Sequence, residues 1–181
     1  NDSGIKACVA GNIGTPLLDV VNEANQSDYV VLEVSSFQIE TTPSLSPYIG
    51  VLLNTTPDHL DRHHSFDDYV ECKINMLRRV SRDGFAIYNA ADATIVPHIL
   101  SVNRNLVPFD ATGRILKKSR GVGAWFGNGD LVISTVPEVH NRYPLSKVKL
   151  EGIHNRENML SALLVAELCG AKPEKILPSL E

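Results

Sequence analysis

The chain has 181 residues, of which 43% are hydrophobic and 21% charged, as is typical of one globular domain with its own core. The formal net charge of −4 argues against nucleic-acid binding, because no excess of basic residues is present to follow a phosphate backbone. No apolar run is long enough for membrane insertion and no signal segment opens the chain. The three widely spaced cysteines, Cys8, Cys72 and Cys169, favour a reducing cytosol over disulfides or structural zinc.

Apolar strands alternate with helices through the first hundred residues. The pattern predicts strands at residues 7–10, 29–34, 48–53 and 85–88, and helices at 16–24, 65–80 and 93–100. Continuous apolar strands separated by helices predict an α/β fold, in which a mostly parallel sheet is flanked by helices.

The pattern changes between residues 106 and 150. Short alternating strands with a G-N-G turn at 127–129 predict a small antiparallel hairpin region appended to the sheet. A helix at 155–169 follows, and it should be buried because it is apolar on most sides. Since the chain starts without Met and stops inside a helix-like run at 173–180, we expect an excised domain.

A polar segment follows directly after the strand at 48–53. Residues 54–63 contain two carboxylates and two imidazoles, including Asp58 and His59. The carboxyl ends of parallel strands form the ligand crevice of such sheets, so this segment can hold a metal or a reacting group. An alternative is a zinc hydrolase site built from Asp58, His59, Asp61, His63 and His64.

Lys73 interrupts the apolar face of the helix at 65–80. Ser65 can cap this helix, and at about 100° per residue Lys73 lies among residues that face the core. The lysine can extend its ammonium past apolar neighbours to solvent. Alternatively its amine faces the Asp58/His59 crevice, where a lowered pKa would let it react with carbon dioxide to form an anionic carbamate ligand.

Glu33 places a carboxylate in a strand that is otherwise suited to full burial. A buried charge needs a partner, which could be a basic side chain or a hard cation at the end of the strand. Ser35, Ser36 and Gln38 follow, and they offer neutral hydrogen-bonding groups for a phosphate or sugar.

Two further segments lie where a strand or loop meets a helix. G-N-I-G at 11–14 offers backbone N–H groups to an anion, although a generic strand-to-helix turn explains it equally well. Asn155 and Asn158 lie three residues apart on one side of a helix, where two amides could bind the edge of a base such as adenine. Asn155 could instead be only an N-cap.

Six motifs occur in a single order along the chain. They are G-N-I-G at 11–14, E-V-S-S-F-Q-I-E-T-T at 33–42, L-N-T-T-P-D-H-L-D-R-H at 53–63, Y-V-E-C-K at 69–73, Y-N-A-A-D at 88–92 and G-I-H-N-R-E-N at 152–158. Together they resemble the central domain of the Mur ligases over nearly the whole chain. The pair G-N-I-G and S-S-F-Q resembles members that add D-glutamate to UDP-N-acetylmuramoyl-L-alanine, whereas members that add the third amino acid typically have His at the position of Phe37.

The resemblance implies an ATP-dependent ligase of cytoplasmic peptidoglycan synthesis that forms an amide through an acyl phosphate. It implies three catalytic and metal-binding residues: Glu33 for one Mg²⁺, with His59 and carbamylated Lys73 holding or orienting a second. The positions that match muramoyl-substrate contacts are Asn12, Ser35, Gln38 and His59. The positions that match the adenine side of ATP are Asn155 and Asn158.

The sequence departs from the family pattern at two positions and lacks one motif. Pro57 stands where Glu usually precedes Asp-His, and Ala91 replaces the first acidic residue expected after Asn89 and Ala90. No G-x-x-x-x-G-K-[ST] segment is present to bind phosphates. We expect that segment just upstream of Asn1, expect further N- and C-terminal domains, and expect a monomer that binds ATP poorly as this fragment alone.

Two other functions remain open at this point. Folylpolyglutamate synthase resembles the Mur ligases in fold and acyl-phosphate chemistry. A non-catalytic nucleotide-sugar binding module is disfavoured because Glu33, His59 and Lys73 occur together.

Overall fold

A computed structural model describes residues 4–56, 63–116, 121–148 and 151–180. The strands within them are β1 (Ala7–Gly11), β2 (Tyr29–Glu33), β3 (Ile49–Leu52), β4 (Phe85–Asn89), β5 (Asn105–Asp110), β6 (Gly123–Gly127), β7 (Asp130–Val136) and β8 (Val139–Pro144). The α-helices are α1 (Val21–Ala24), α2 (Ser36–Thr41), α3 (Phe66–Arg78), α4 (Val96–Ile99), α5 (Ile153–Leu168) and α6 (Pro173–Ile176). None of the helices in these ranges is long and apolar enough to cross a membrane.

The strands form two sheets. β1 and β2 make a parallel pair, and the larger sheet has the order β3-β4-β5-β6-β7-β8. β3 to β6 run parallel to one another, whereas β6, β7 and β8 are antiparallel. The predicted α/β fold, with a mostly parallel sheet and a small antiparallel region, is confirmed.

The predicted hairpin turn joins β6 to β7. Asn128 and Gly129 have positive φ angles of 56° and 83°, as a two-residue hairpin turn requires. The antiparallel region nevertheless starts later than predicted, because β5 pairs in parallel with β4. Parallel neighbours need a crossover connection, and the segment containing α4 supplies it.

Helices α3 and α5 cover opposite faces of the larger sheet. Ile74 of α3 belongs to one buried cluster with Ala86 of β4, and Leu160 of α5 belongs to another with Ile87. Since adjacent residues of a strand point to opposite faces, β4 contributes to both clusters. The predicted burial of one face of α3 and of much of α5 is confirmed.

One prediction about the first forty residues is confirmed in position only, and another is wrong. The helix expected at 16–24 is a 3-10 segment at Leu17–Val20 followed directly by α1, and neither buries a residue. Without a packed apolar face, a short helix gains little stability. Strand β2 is not fully buried either, since Val30 and Val31 are exposed; within the described residues it pairs only with β1.

Candidate active site at the strand ends

The chain that leaves β3 is held at three consecutive residues. Asn89 Nδ2 donates to Leu53 O at 3.0 Å, and Lys73 Nζ donates to Asn54 O at 3.2 Å. The backbone N–H of Thr55 donates to Asp92 Oδ2 at 2.9 Å. The end of β3 is therefore fixed by side chains from α3, from the last residue of β4 and from the loop that follows β4.

Lys73 lies at the crevice end of the sheet, and its side chain is half-buried. Besides donating to Asn54, its Nζ lies 4.5 Å from the centroid of the buried Tyr69 ring, a cation–π contact that suits an ammonium. Lys73 therefore reaches the end of β3, as its place on the apolar face of α3 indicated.

Glu33 ends β2 and is exposed, which corrects the expected burial of its carboxylate. The error follows from β2, whose outward face is open to solvent. The backbone N–H of Asn12 donates to Glu33 O at 2.9 Å, so the ends of β1 and β2 bring Asn12 and Glu33 together. Gly11 permits this approach, because a Cβ there would lie 2.1 Å from Glu33 O.

Ser35 and Gln38 form a capping box at the start of α2. Ser35 Oγ accepts from Gln38 N at 3.3 Å, and Ser35 N donates to Gln38 Oε1 at 3.0 Å. Helix α2 was not among the predicted helices, although the S-x-x-Q spacing is a known signal for a helix start. Both side chains thus orient the segment that follows Glu33.

Asn155 and Asn158 lie in the first turns of α5, which begins two residues earlier than predicted. Gly152 is the N-cap, with a φ of 97°, so the interpretation of Asn155 as an N-cap is wrong. Asn155 Nδ2 donates to Glu151 O at 2.7 Å, and Asn158 is exposed.

Asn89 and Glu157 connect the strand ends to α5, a contact that the sequence analysis did not predict. Asn89 Nδ2 donates to Glu157 Oε1 at 2.9 Å. The two residues lie 68 positions apart, so no local pattern could have revealed the pair. Only the Y-N-A-A-D motif marked Asn89 as a residue of interest.

His63 is buried, and both of its ring nitrogens have partners. Nε2 hydrogen-bonds Ser36 Oγ at 2.9 Å, and Nδ1 lies 3.5 Å from Glu40 Oε1. Its ring also stacks on Phe37 and contacts Tyr69 edge-on. A histidine so engaged joins α2 to the start of α3 and has no free nitrogen for zinc, which disfavours the zinc hydrolase alternative.

Asp58, His59 and Asp61 lie outside the described residues, as does Pro57. The roles expected for Asp58 and His59 at the crevice therefore rest on the sequence alone. Among the described residues, Thr55 precedes this segment in sequence and His63 follows it. Lys73 contacts the chain just before it, at Asn54 O.

Glu33 is a donor of the kind that suits Mg²⁺. Within the described part of the chain, no three His, Cys, Asp or Glu side chains are grouped to hold a metal. Zinc requires three or four protein ligands, whereas Mg²⁺ uses one or two carboxylates together with water and substrate phosphates. An exposed carboxylate such as Glu33 at a strand end suits the second arrangement.

Comparison with known proteins matches most of the chain to one protein family. The Mur ligase middle domain family matches residues 8–166. The UDP-N-acetylmuramoylalanine–D-glutamate ligase of Geotalea daltonii is 34% identical over 95% of this chain, and that of Acidobacterium capsulatum is 36% identical over 93%. The chain spans 37% and 36% of the lengths of these relatives.

Solved structures show the same fold. A UDP-N-acetylmuramoyl-L-alanyl-D-glutamate–2,6-diaminopimelate ligase superposes with a TM-score of 0.69 at 20% identity, over 97% of this chain and 40% of that one. MurF from Acinetobacter baumannii gives a TM-score of 0.67 at 18% identity, over 98% and 40% of the two chains.

Proposed function

This chain belongs to the Mur ligase family as a middle domain, and we propose that the protein carrying it adds D-glutamate to UDP-N-acetylmuramoyl-L-alanine with ATP. The observation that carries the proposal is the 34–36% identity to relatives named for that reaction. Since the chain spans little more than a third of those relatives, the activity is proposed for the whole protein.

The reaction proceeds in two steps. An oxygen of the terminal alanine carboxylate attacks the γ-phosphorus of ATP, and ADP leaves to give an acyl phosphate. The amine of D-glutamate then attacks the acyl carbon, inorganic phosphate leaves, and an amide with one proton fewer on nitrogen remains. Positioning and charge neutralisation dominate such phosphoryl transfers.

Glu33 and Lys73 are the residues of this chain that would act on the phosphates. Glu33 would hold Mg²⁺, which neutralises phosphate charge when bound. The neutral amine of Lys73 can add to carbon dioxide and lose a proton, leaving an anionic carbamate. Its remaining N–H can still donate to Asn54 O, the acceptor that Lys73 uses in the structure. His59 would complete this side of the site.

The other ligand contacts fall on two parts of the fold. Asn12, Ser35 and Gln38 would contact the muramoyl substrate, since they follow the ends of the adjacent strands β1 and β2. Asn155 and Asn158 on α5 would contact adenine. The 181 residues contain no G-K-[ST] segment, and we propose that another part of the whole protein supplies N–H groups of this type to the phosphates.

We place the reaction in the cytoplasm, where nucleotide-linked cell-wall precursors and ATP are available, and propose a monomer. The three cysteines are free, as a reducing setting favours: Cys8 and Cys72 are buried and Cys169 is partly buried.

An acceptor assay on the full-length protein tests the proposed substrate. With ATP and Mg²⁺, UDP-N-acetylmuramoyl-L-alanine and D-glutamate should give a product one glutamyl unit heavier, with one ADP released per amide. A reduced folate with L-glutamate should give none. Glutamylation of the folate alone would instead assign the protein to folylpolyglutamate synthesis.

A further inference from the structure

Asn89 is a buried side chain whose amide is fully engaged. It is only 2% exposed. Its Nδ2 donates to Leu53 O at 3.0 Å and to Glu157 Oε1 at 2.9 Å, while its Oδ1 accepts from Ala91 N at 3.0 Å. One amide therefore connects the ends of β3 and β4 to the first turns of α5.

Glu157 is held on the inner side of α5. Its side chain is 12% exposed, whereas that of His154, 3.2 Å from its other oxygen, is 83% exposed. Glu157 lies between Asn155 and Asn158 in sequence, so whatever fixes Glu157 also fixes the turn that carries both amides. A carboxylate shielded from water depends on its remaining hydrogen bonds, and Asn89 supplies one.

The other end of the connection reaches Lys73. Asn89 binds the carbonyl of Leu53, and Lys73 binds the carbonyl of the next residue, Asn54. Asp92 holds the residue after that through Thr55 N and Oγ1. Because three successive residues are anchored, a shift of Asn89 would displace the acceptor of Lys73 as well.

We propose that Asn89 and Glu157 are positioning residues, which fix the adenine-side turn of α5 relative to the strand end that holds Lys73. The inference rests on the proposed function, in which the first turns of α5 contact the nucleotide and Lys73, at the end of β3, acts on the phosphates. Neither residue touches substrate; each acts through the groups it orients.

Steady-state kinetics of the full-length protein test the proposal through a conservative pair of variants. Glu157→Ala removes the acceptor for Asn89 and should raise KM for ATP about tenfold, since a hydrogen bond to a charged group is lost. Glu157→Gln keeps an acceptor oxygen and should stay within about twofold of wild type. KM for D-glutamate should change in neither, and Glu151→Gln, on the exposed side of the same helix end, is the matched control.

A double variant separates positioning from simple destabilisation. Asn89→Asp sets two carboxylates against each other and should raise KM for ATP at least as much as Glu157→Ala. Adding Glu157→Gln supplies an amide donor to the new carboxylate and should recover the part of that loss caused by carboxylate repulsion, whereas the bond to Leu53 O stays absent. An unchanged KM for ATP in Glu157→Ala, or no recovery in the double variant, would overturn the proposal.

Hydrogen–deuterium exchange distinguishes failure of this inference from failure of the proposed function. In Glu157→Ala, amides of residues 153–158 and 53–55 should exchange faster together, while Glu157→Gln should match wild type. If the wild type makes no amide with D-glutamate, the proposed function fails. The exchange rates of the two segments then still test whether Asn89 and Glu157 connect them. Faster exchange in only one of the two segments would contradict it.

Discussion

Asp92 shows how one buried carboxylate stabilises the segment beside the site. Burial opposes its ionisation, but hydrogen bonds from Thr94 and Thr55 outweigh that effect and hold the pKa of Asp92 below its usual range. Ala91 stands where the family pattern has another acidic residue, and its N–H donates to Asn89. The remaining Asp92 is thus committed to structure rather than to a ligand.

Replacing Asp92 with Asn tests this role through its pH dependence. A pKa that is lower in the folded than in the unfolded state adds stability above the unfolded pKa of about 3.9, and this stability is lost as pH falls through the folded pKa. Asp92→Asn should therefore lower the free energy of unfolding by about 1–2 kcal/mol at neutral pH. Urea unfolding should show the difference shrinking as the pH falls below the unfolded pKa of about 3.9 and through the lower pKa of the folded state. A difference that is constant with pH would exclude the carboxylate as its cause.

Helix α3 carries Lys73 to the end of β3. Its N-cap is Ser65, whose Oγ accepts from Asp68 N at 3.1 Å, as the sequence predicted. Its inner face packs closely on β3 at Gly50, where a Cβ would lie 2.7 Å from Met76 Sδ. The cap and this close contact together fix the position of α3, and with it that of Lys73, relative to the end of β3.

Removing the cap should lower stability without removing any contact of Lys73. Ser65→Ala should reduce the free energy of unfolding by about 1 kcal/mol, since one backbone N–H loses its acceptor. Ser65→Asn should stay close to wild-type stability, because Asn caps as well as Ser and adds no charge beside Asp68, whose carboxylate accepts from Ser65 Oγ at 2.9 Å. Chemical denaturation measures both, and equal losses in the two variants would show that Ser65 acts through something other than the cap.

Elements with a clear apolar period were predictable, whereas the extent of their burial was not. The strands β1 to β4 and helix α3 were placed to within two residues at either end, because their apolar residues follow the period of a strand or a helix. The helical stretch expected at 16–24 was also located, but it lies against solvent and buries no residue. The direction of β5 depends on a long-range pairing with β4 that local sequence does not encode.

The candidate site, too, was predicted only in part. The position of Lys73 followed from helical periodicity. The burial of Glu33 was wrong, since it depends on how many strands flank β2. The Asn89–Glu157 contact and the partners of His63 join segments far apart in sequence, and only the folded chain brings them together.

At the scale of the whole molecule, this domain supplies one wall of the proposed ligase site. It spans 36–38% of the lengths of three related D-glutamate ligases. Its sequence contains no phosphate-binding G-K-[ST] loop. Several apolar side chains of β1 and β2 are exposed, among them Val9 and Val31. Within the described residues, this apolar face of the two-stranded sheet is therefore exposed to solvent.

The 181-residue chain alone should bind ATP weakly. With adenine contacts but no phosphate loop, we expect a dissociation constant above about 1 mM by titration calorimetry, and no amide formation. Micromolar affinity would show that the phosphates are bound by residues of this chain.

The most direct test of the central claim is ligation by the full-length protein bearing Lys73→Ala. We predict that ATP-dependent addition of D-glutamate falls at least about 100-fold, while the exposed Lys172→Ala control retains the wild-type rate and both proteins show the same thermal unfolding. Ligation at the normal rate by Lys73→Ala would contradict the assignment of this strand-end crevice, and of its proposed carbamate, as the site of the reaction.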